Sequence, residues 1–356
     1  MELKSLQCFL YDNDALNQLI RKTVAFLNEN DIRDVIIQKD WVQGFHLNLT
    51  WAAAENVMGL ENHISSLLSG NDSRYGEQDY DRFEVMMETL KKMEGYQGEV
   101  LPLMKDGSVL NVTSAEVLKK NPLCGPHINL QVEKLKTEIL RRIYLDWTEY
   151  SLEQQNMEIT KVFFITSQLS PGGIRYGYLS LRSNFEYFKQ QLTELKNKDR
   201  AAAYYTSIHS RTEAEQEFIQ NGVAEFLNEV YDNEPFFNNM RDLIQRLQHV
   251  YSEAFEAGEL YVKEMHFGDD FLDRHPNASE FHKAFFTNPE FLKQYRSKEF
   301  IVYRFIASTI YSLLPLLSIS PIRKQKITGM VADSVESHFS TNWLEVYNDM
   351  ARKLEA

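Results

Sequence analysis

Three short stretches hold residues whose types and spacing could do chemistry. In "DWVQGFHLNLTW", residues 40–51, His46, Asn48 and Thr50 alternate with Leu47, Leu49 and Trp51. Period-two alternation reads as a half-buried strand, apolar on one face and carrying an imidazole, an amide and a hydroxyl on the other. His46 there is either a proton shuttle facing a pocket or an ordinary strand histidine. In "GYLSLRSNFEYF", 177–188, Tyr178, Ser180 and Arg182 alternate, which suits an extended segment with three polar groups on one side. Ser183-x-x-Glu186 is a capping box that would start the next helix. A serine at a helix N-terminus lies among free backbone N–H groups, suited to a developing negative charge. Tyr187 follows one turn later on the same face. The third stretch, "HFGDDFLDRHPNASEFH", 266–282, holds three His and three Asp. Its spacing matches no standard ligand set and Pro276 interrupts it, so a polar loop is expected and no metal.

These residues need elements to position them. "SLQCFLY" (5–11), "DVIIQKDW" and "GFHLNLTW" read as strands, with Gly44 near the turn between the last two, and 14–30 has apolar residues at helical spacing. Helices follow around 53–69 and 79–95, and 98–112 reads as extended chain around a Lys105-Asp106-Gly107 turn. From about 131 helices dominate, over 131–155, 157–169, 184–197, 211–231 and 238–258. Asn288-Pro289 and Ser320-Pro321 are N-cap pairs with proline at the first helical position. Helices over 299–315 and 321–339 are the most hydrophobic and are expected to form the core of this half. The pattern predicts an α+β fold: a strand-helix-strand-strand region over 1–130 and a helix-rich region over 131–356, packed as one continuous body.

The bulk numbers narrow the function classes. The 356 residues carry a net charge of −13, which disfavours binding to nucleic acid. The two cysteines, Cys8 and Cys124, are too few for a disulfide framework or a thiolate zinc site, and read as buried reduced thiols in a cytoplasmic protein. The N-terminus lacks a signal-peptide pattern. In the apolar run 300–319, Arg304 leaves only the fifteen residues Phe305–Ile319 free of charge, short of the roughly 20 that a membrane span needs. Arg304 is thus either a paired buried cation or a pocket wall. There is no P-loop, dinucleotide fingerprint, HExxH or GxSxG.

Several segments together resemble the lantibiotic dehydratase C-terminal (SpaB-C-like) family, which includes the thiopeptide-maturation pyridine synthases. They are "QKDWVQGFHLNLTW", "GEVLPLMKDGSV", "TSQLSPGGIRYGYLSLRSNFEYF", "SEAFEAGEL", "SEFHKAF", "RSKEFIVYRFIASTIYSLLPLLSISPIRKQKI" and "VADSVESHF", in the family's order over residues 4–340. The resemblance implies an α+β fold, a ribosomally made precursor peptide as partner through its leader segment, and no metal or organic cofactor. Other pathway enzymes are further expected partners. Full-length family members eliminate glutamate from glutamylated Ser or Thr. Standalone ones join two dehydroalanines in a formal four-plus-two cyclisation and expel the leader.

This sequence departs from the family at telling places. Asn48 and Thr50 stand where the family strand has Arg, Lys39-Asp40 where it has Arg-His, and Asn184 where it has His. Elimination needs a cationic fork for the glutamyl carboxylate and the enolate-like carbanion. Cyclisation needs mainly register between two alkenes, plus proton transfers that His, Tyr or Ser can assist. Three readings follow: a cyclase, an inactive leader-binding escort, and, last, a glutamate-eliminating lyase. For the cyclase the catalytic candidates are His46, Arg182, Ser183 and Tyr187, with Tyr187 or His46 as acid toward the leaving amide and Arg182 orienting peptide carbonyls. The substrate-binding candidates are Trp41, Asn48, Tyr178, Ser180 and Arg304. A cleft between the two halves, lined by His46, Tyr178, Ser183 and Tyr187, is expected. The basic residues Lys134, Lys136, Arg141 and Arg142 form either a solvated helix face or a leader contact.

Overall fold

Asp12 starts the first helix by accepting a hydrogen bond from the Ala15 amide at 2.7 Å, and that helix follows directly on the first strand of the sheet. In the computed structural model the described residues are 2–55, 57, 59–69, 75–94, 98–114, 118, 121–195, 197–261, 271–274 and 277–355. The fold is α+β, as the sequence predicts. The strands are β1 (Leu3–Phe9), β2 (Ile36–Asp40), β3 (His46–Ala52) and β4 (Val109–Ser114). The first helices are α1 (Asn13–Glu29), α2 (Leu60–Leu68), α3 (Glu77–Glu94) and α4 (Pro126–Trp147). The chain divides into two units. Unit 1 is Met1–Asn121, Asn129–Leu145 and Pro315–Ser318; unit 2 is Pro122–Ile128, Asp146–Leu314 and Ile319–Ala356.

Unit 1 is built on one antiparallel sheet in the order β2-β3-β1-β4. α1 buries Leu16, Leu19, Ile20, Thr23, Val24 and Leu27, the stripe of an amphipathic helix. β2 is an edge strand, and the Thr137 hydroxyl on α4 accepts from its Ile37 amide at 3.0 Å, so that edge donor is satisfied. Gly107, at φ 78°, makes the expected turn before β4. Arg141 ties α4 to the end of α1. Its guanidinium donates to the carbonyls of Leu27 (3.0 Å) and Ile32 and to Asn28 Oδ1 (2.9 Å), and the Leu27 carbonyl also accepts from the Ile32 amide at 2.9 Å. Lys134 pairs with Asp34, Lys136 with Glu133 and Arg142 with Glu138. The basic helix is thus held by unit 1's own groups. Burial pushes the Cys8 thiol up to about 12, so it is a protonated core residue.

Unit 2 is helical: α5 (Leu152–Gln168), α6 (Ile174–Glu194), α7 (Lys198–His209), α8 (Glu213–Leu227), α9 (Pro235–Glu256), α10 (Phe271–Arg274), α11 (Glu280–Phe286), α12 (Pro289–Gln294), α13 (Lys298–Leu313), α14 (Pro321–His338) and α15 (Trp343–Glu355). Asn288 and Ser320 cap α12 and α14 as expected, and α13 ends just before Pro315. The run expected over 131–155 is two helices. Ser151 and Gln154 form a capping box that starts α5 afresh. α7, capped by Asn197, has no counterpart among the sequence-predicted elements. α14 packs against α5, α6, α7 and α8, and α13 against α9. α5 is as central as these, buried nearly all round although it carries Gln155, Asn156, Thr160, Thr166 and Ser167. Two of its threonines donate back to the carbonyls four residues earlier, which makes such a helix possible in a core. Among the described residues no helix is long and apolar enough to cross a membrane.

Candidate active site

The stretch "SQLSPGGIRYGY" fixes where α6 begins. Gly172 and Gly173 take φ of +85° and +70°, the left-handed region that favours glycine, and turn the chain out of α5. Gln168 Oε1 then accepts from the Ile174 amide at 3.2 Å and serves the new helix's first turn. Gly177 lets α6 cross α5 closely, for a Cβ there would lie 2.0 Å from the Ser167 carbonyl oxygen.

This start corrects two expectations. Residues 177–183 are helical, and Ser183 lies inside α6 rather than at its N-cap. Three alternating polar residues fit a helix as well as a strand, because 178 and 182 share one helix face and 180, 183 and 187 another. The two faces serve different ends. On the first, Tyr178 OH donates to Glu336 Oε1 of α14 at 3.2 Å. Arg182 pairs with Glu336 Oε2 at 3.5 Å and with Glu186 Oε1 at 2.9 Å. Burial and the neighbouring Glu336 push the Tyr178 phenol up, and burial outweighs Arg182 to raise Glu336. Arg182 is thus neutralised by two carboxylates.

The second face meets an imidazole. Ser183 Oγ lies 3.0 Å from His282 Nε2, and Ser279 Oγ, the N-cap of α11, lies 2.8 Å from His282 Nδ1. His282 is 2% exposed. Tyr187 meets the same ring edge-on, at 6.1 Å between centroids. Ser180 and Ser183 line a crevice walled by Phe281, Phe285, Phe286, Phe291, Tyr295 and Phe300, with Gln294 beside them. Its free space is about 20 Å³, room for roughly one water. Gln294 Oε1 is buried with no hydrogen-bond partner. Arg304 stacks over Tyr295 at 5.5 Å and keeps one buried guanidinium nitrogen without a partner. Tyr303 OH donates to the Gly177 carbonyl at 2.9 Å.

The polar face of β3 belongs to unit 1 and is buried. His46 is 3%, Asn48 2% and Thr50 0% exposed, so the strand is buried on both faces. β3 is an interior strand of the sheet, and its polar row continues sideways. Asn48 is flanked by Gln38 and Gln7, and Thr50 Oγ1 donates to Ser5 Oγ at 3.1 Å. His46 Nδ1 is 2.6 Å from the Gly44 carbonyl, which can only accept, so the proton is on Nδ1. Phe9 packs on the ring at 4.6 Å. Asn48 Oδ1 has no partner. Trp41 is buried at the end of β2.

Of the residues singled out in the sequence, Ser180 and Ser183 line the crevice and Tyr187 meets the His282 ring, whereas His282, Ser279 and Glu336 were not among them. The signal for His282 was present: Ser279-x-x-His282 puts an N-cap serine one turn before the histidine. By composition alone the stretch reads as a polar loop. His266, Asp269, Asp270 and His275 of that stretch lie outside the described residues. Among the described residues no three His, Cys, Asp or Glu side chains are grouped to hold a metal.

No family model and no curated protein matches this chain. Solved structures do. The pyridine synthase TbtD from thiomuracin biosynthesis is similar at a TM-score of 0.63 and 16% identity, over 98% of this chain and 100% of that one. TsrL is similar at 0.61 and 13% identity, over 98% of each chain. At these identities the likeness is one of fold, and it runs from end to end.

Proposed function

We propose that this protein is a maturation enzyme of a ribosomally made, thiopeptide-type peptide. In this reading it joins two dehydroalanines by a formal four-plus-two cyclisation, with loss of water and expulsion of the leader. One observation carries the proposal: in a chain sharing the fold of a pyridine synthase end to end, a buried His282 is hydrogen-bonded to Ser183 at the rim of an aromatic crevice. Holding two alkenes in register lowers the barrier by up to ~7–11 kcal/mol, and aromatic walls suit flat, apolar alkenes. What remains is proton traffic. An amide must tautomerise so that it becomes part of a diene, and the departing amide nitrogen must be protonated. We assign the first proton to Ser183 and His282, and the second to the same pair or to Tyr187. Arg182 and Tyr178, held by Glu336, keep α6 in register with α14. Ser180 and Arg304 are our candidates for peptide carbonyls. For His46, any proton given or taken passes through Nε2; Trp41 and Asn48 complete that set on unit 1.

The tightness of the crevice favours a second reading. About 20 Å³ holds a water and not a peptide, as expected of an escort that binds the leader without processing it. Mass spectrometry of a dehydroalanine-containing precursor incubated with the protein decides. Loss of one water and the leader supports the cyclase, and Ser183→Ala and Tyr187→Phe should then slow it. An unchanged mass with tight leader binding leaves the escort.

A further inference from the structure

Ser183 and Ser279 hold the two nitrogens of one imidazole, and each opens on a different space. Ser183 lines the narrow aromatic crevice. Ser279, with Gln190, Thr193, Asn277 and Lys283, lines an open groove of about 600 Å³. His282 is buried between them, 3.0 Å from one hydroxyl and 2.8 Å from the other. A neutral imidazole has one N–H and one lone pair. It therefore donates to one of these serines and accepts from the other.

We infer that Ser183–His282–Ser279 is a proton relay joining the crevice to solvent in the groove. The relay rests on the cyclase reading only for the identity of the group that supplies its proton. The starting form has the proton on Nδ1, donated to Ser279. A peptide amide docked at the rim of the crevice gives its proton to Ser183 Oγ as the Ser183 hydroxyl proton moves to Nε2. The Nδ1 proton moves to Ser279, whose own hydroxyl proton passes to groove water. One proton leaves the crevice and one reaches water; only N–H and O–H bonds change, and the imidazole ends as the other tautomer without turning. When the departing amide nitrogen takes a proton, the same steps run backwards and reset the ring. A crevice with room for about one water can thus exchange protons with the groove through the ring.

The relay predicts how the His282 ring proton exchanges with water, whether or not any peptide is turned over. Ring resonances of the ¹⁵N-histidine-labelled full chain, assigned with His282→Gln, give the tautomer and the exchange rate by saturation transfer. Ser279 also accepts from the His282 amide as the helix cap, at 3.4 Å, so the substitutions must separate cap from relay. Asparagine keeps a cap acceptor but cannot pass a proton, whereas threonine does both. The expected result is a neutral ring whose exchange slows by about ten-fold or more in Ser279→Asn and stays near wild type in Ser279→Thr and Ser183→Ala. Ser279→Gly, which a helix N-terminus tolerates, should slow it less than Ser279→Asn because groove water can stand in for the hydroxyl. Unchanged exchange in Ser279→Asn, or a slowing in Ser183→Ala as large, overturns the relay. If exchange behaves as expected while the precursor's mass is unchanged, the relay stands and the cyclase reading falls.

Discussion

Tyr178 and Glu336 share a hydrogen bond of 3.2 Å that couples α6 to α14, with Arg182 on the other carboxylate oxygen. Tyr178 is fully buried, so Tyr178→Phe leaves the carboxylate one donor short. The expected loss of stability is about 1–3 kcal/mol at neutral pH, read from urea unfolding. The pH dependence has a definite sign. Burial already raises Glu336, and losing a donor to the charged form raises it further. A raised folded-state carboxyl pKa lowers stability above the unfolded value and has no effect below it. The deficit of Tyr178→Phe should therefore be full at neutral pH and shrink as pH falls through the raised folded value toward the ordinary glutamate range of about 4.3. A deficit that does not change with pH would place the effect in packing alone.

Gly177 sets how closely α5 and α6 cross. A Cβ there would meet the Ser167 carbonyl at 2.0 Å, and carbon and carbonyl are both backbone-bound, so neither can turn away. Gly177→Ala should destabilise by about 1–3 kcal/mol or more through overpacking. Gly76→Ala, at an exposed position with nothing within 4 Å, is the control and should shift thermal unfolding little. Equal melting temperatures for the two variants would mean that the helices slide apart freely.

The α+β class and most elements were legible because their signals are local. Alternation marks β3, helical spacing marks α1, and Asn-Pro and Ser-Pro mark α12 and α14. What misled was also local. Tyr178, Ser180 and Arg182 repeat every second residue over too short a span to separate strand from helix, and Ser183-x-x-Glu186 matches a capping box in the middle of a helix. The Gly172-Gly173 pair was the better guide to where α6 starts. The burial of β3's polar face could not be read from its own residues, since it depends on its place inside the sheet. His282 meets Ser183 across 99 residues, a pairing that no spacing rule encodes.

Lys39 on β2 gives a stability change of opposite pH trend. Its ammonium donates to Asn13 Oδ1 at 3.2 Å, and burial pulls its pKa down to about 8. The unfolded chain holds that proton up to about 10.4, so the charged amine burdens the folded state below pH 8 and stability recovers as pH rises from 8 to about 10.4. Lys39→Met removes the charge and keeps the length of the stem. It should stabilise the protein by about 1–3 kcal/mol at pH 7, with the gain fading toward pH 10. Denaturant melts at pH 7 and 10 check this; a gain that grows with pH would contradict a lowered Lys39 pKa.

Asn48 stands where the resembled family has an arginine that elimination would use. Replacing it with arginine tests whether one residue can confer that chemistry. The side chain is 2% exposed, between Gln38 and Gln7 in the sheet register, and among the described residues no carboxylate bonds to it. A guanidinium forced there would be a buried charge facing amides, at a cost of several kcal/mol. Asn48→Arg is therefore expected to unfold at markedly lower urea and to give no glutamate elimination from a glutamylated peptide. Asn48→Leu, which removes an acceptor that already lacks a partner, should come within about 1 kcal/mol of wild type. A stable, eliminating Asn48→Arg would show that β3 opens to substrate in solution and would return the strand's polar face to the centre of the chemistry.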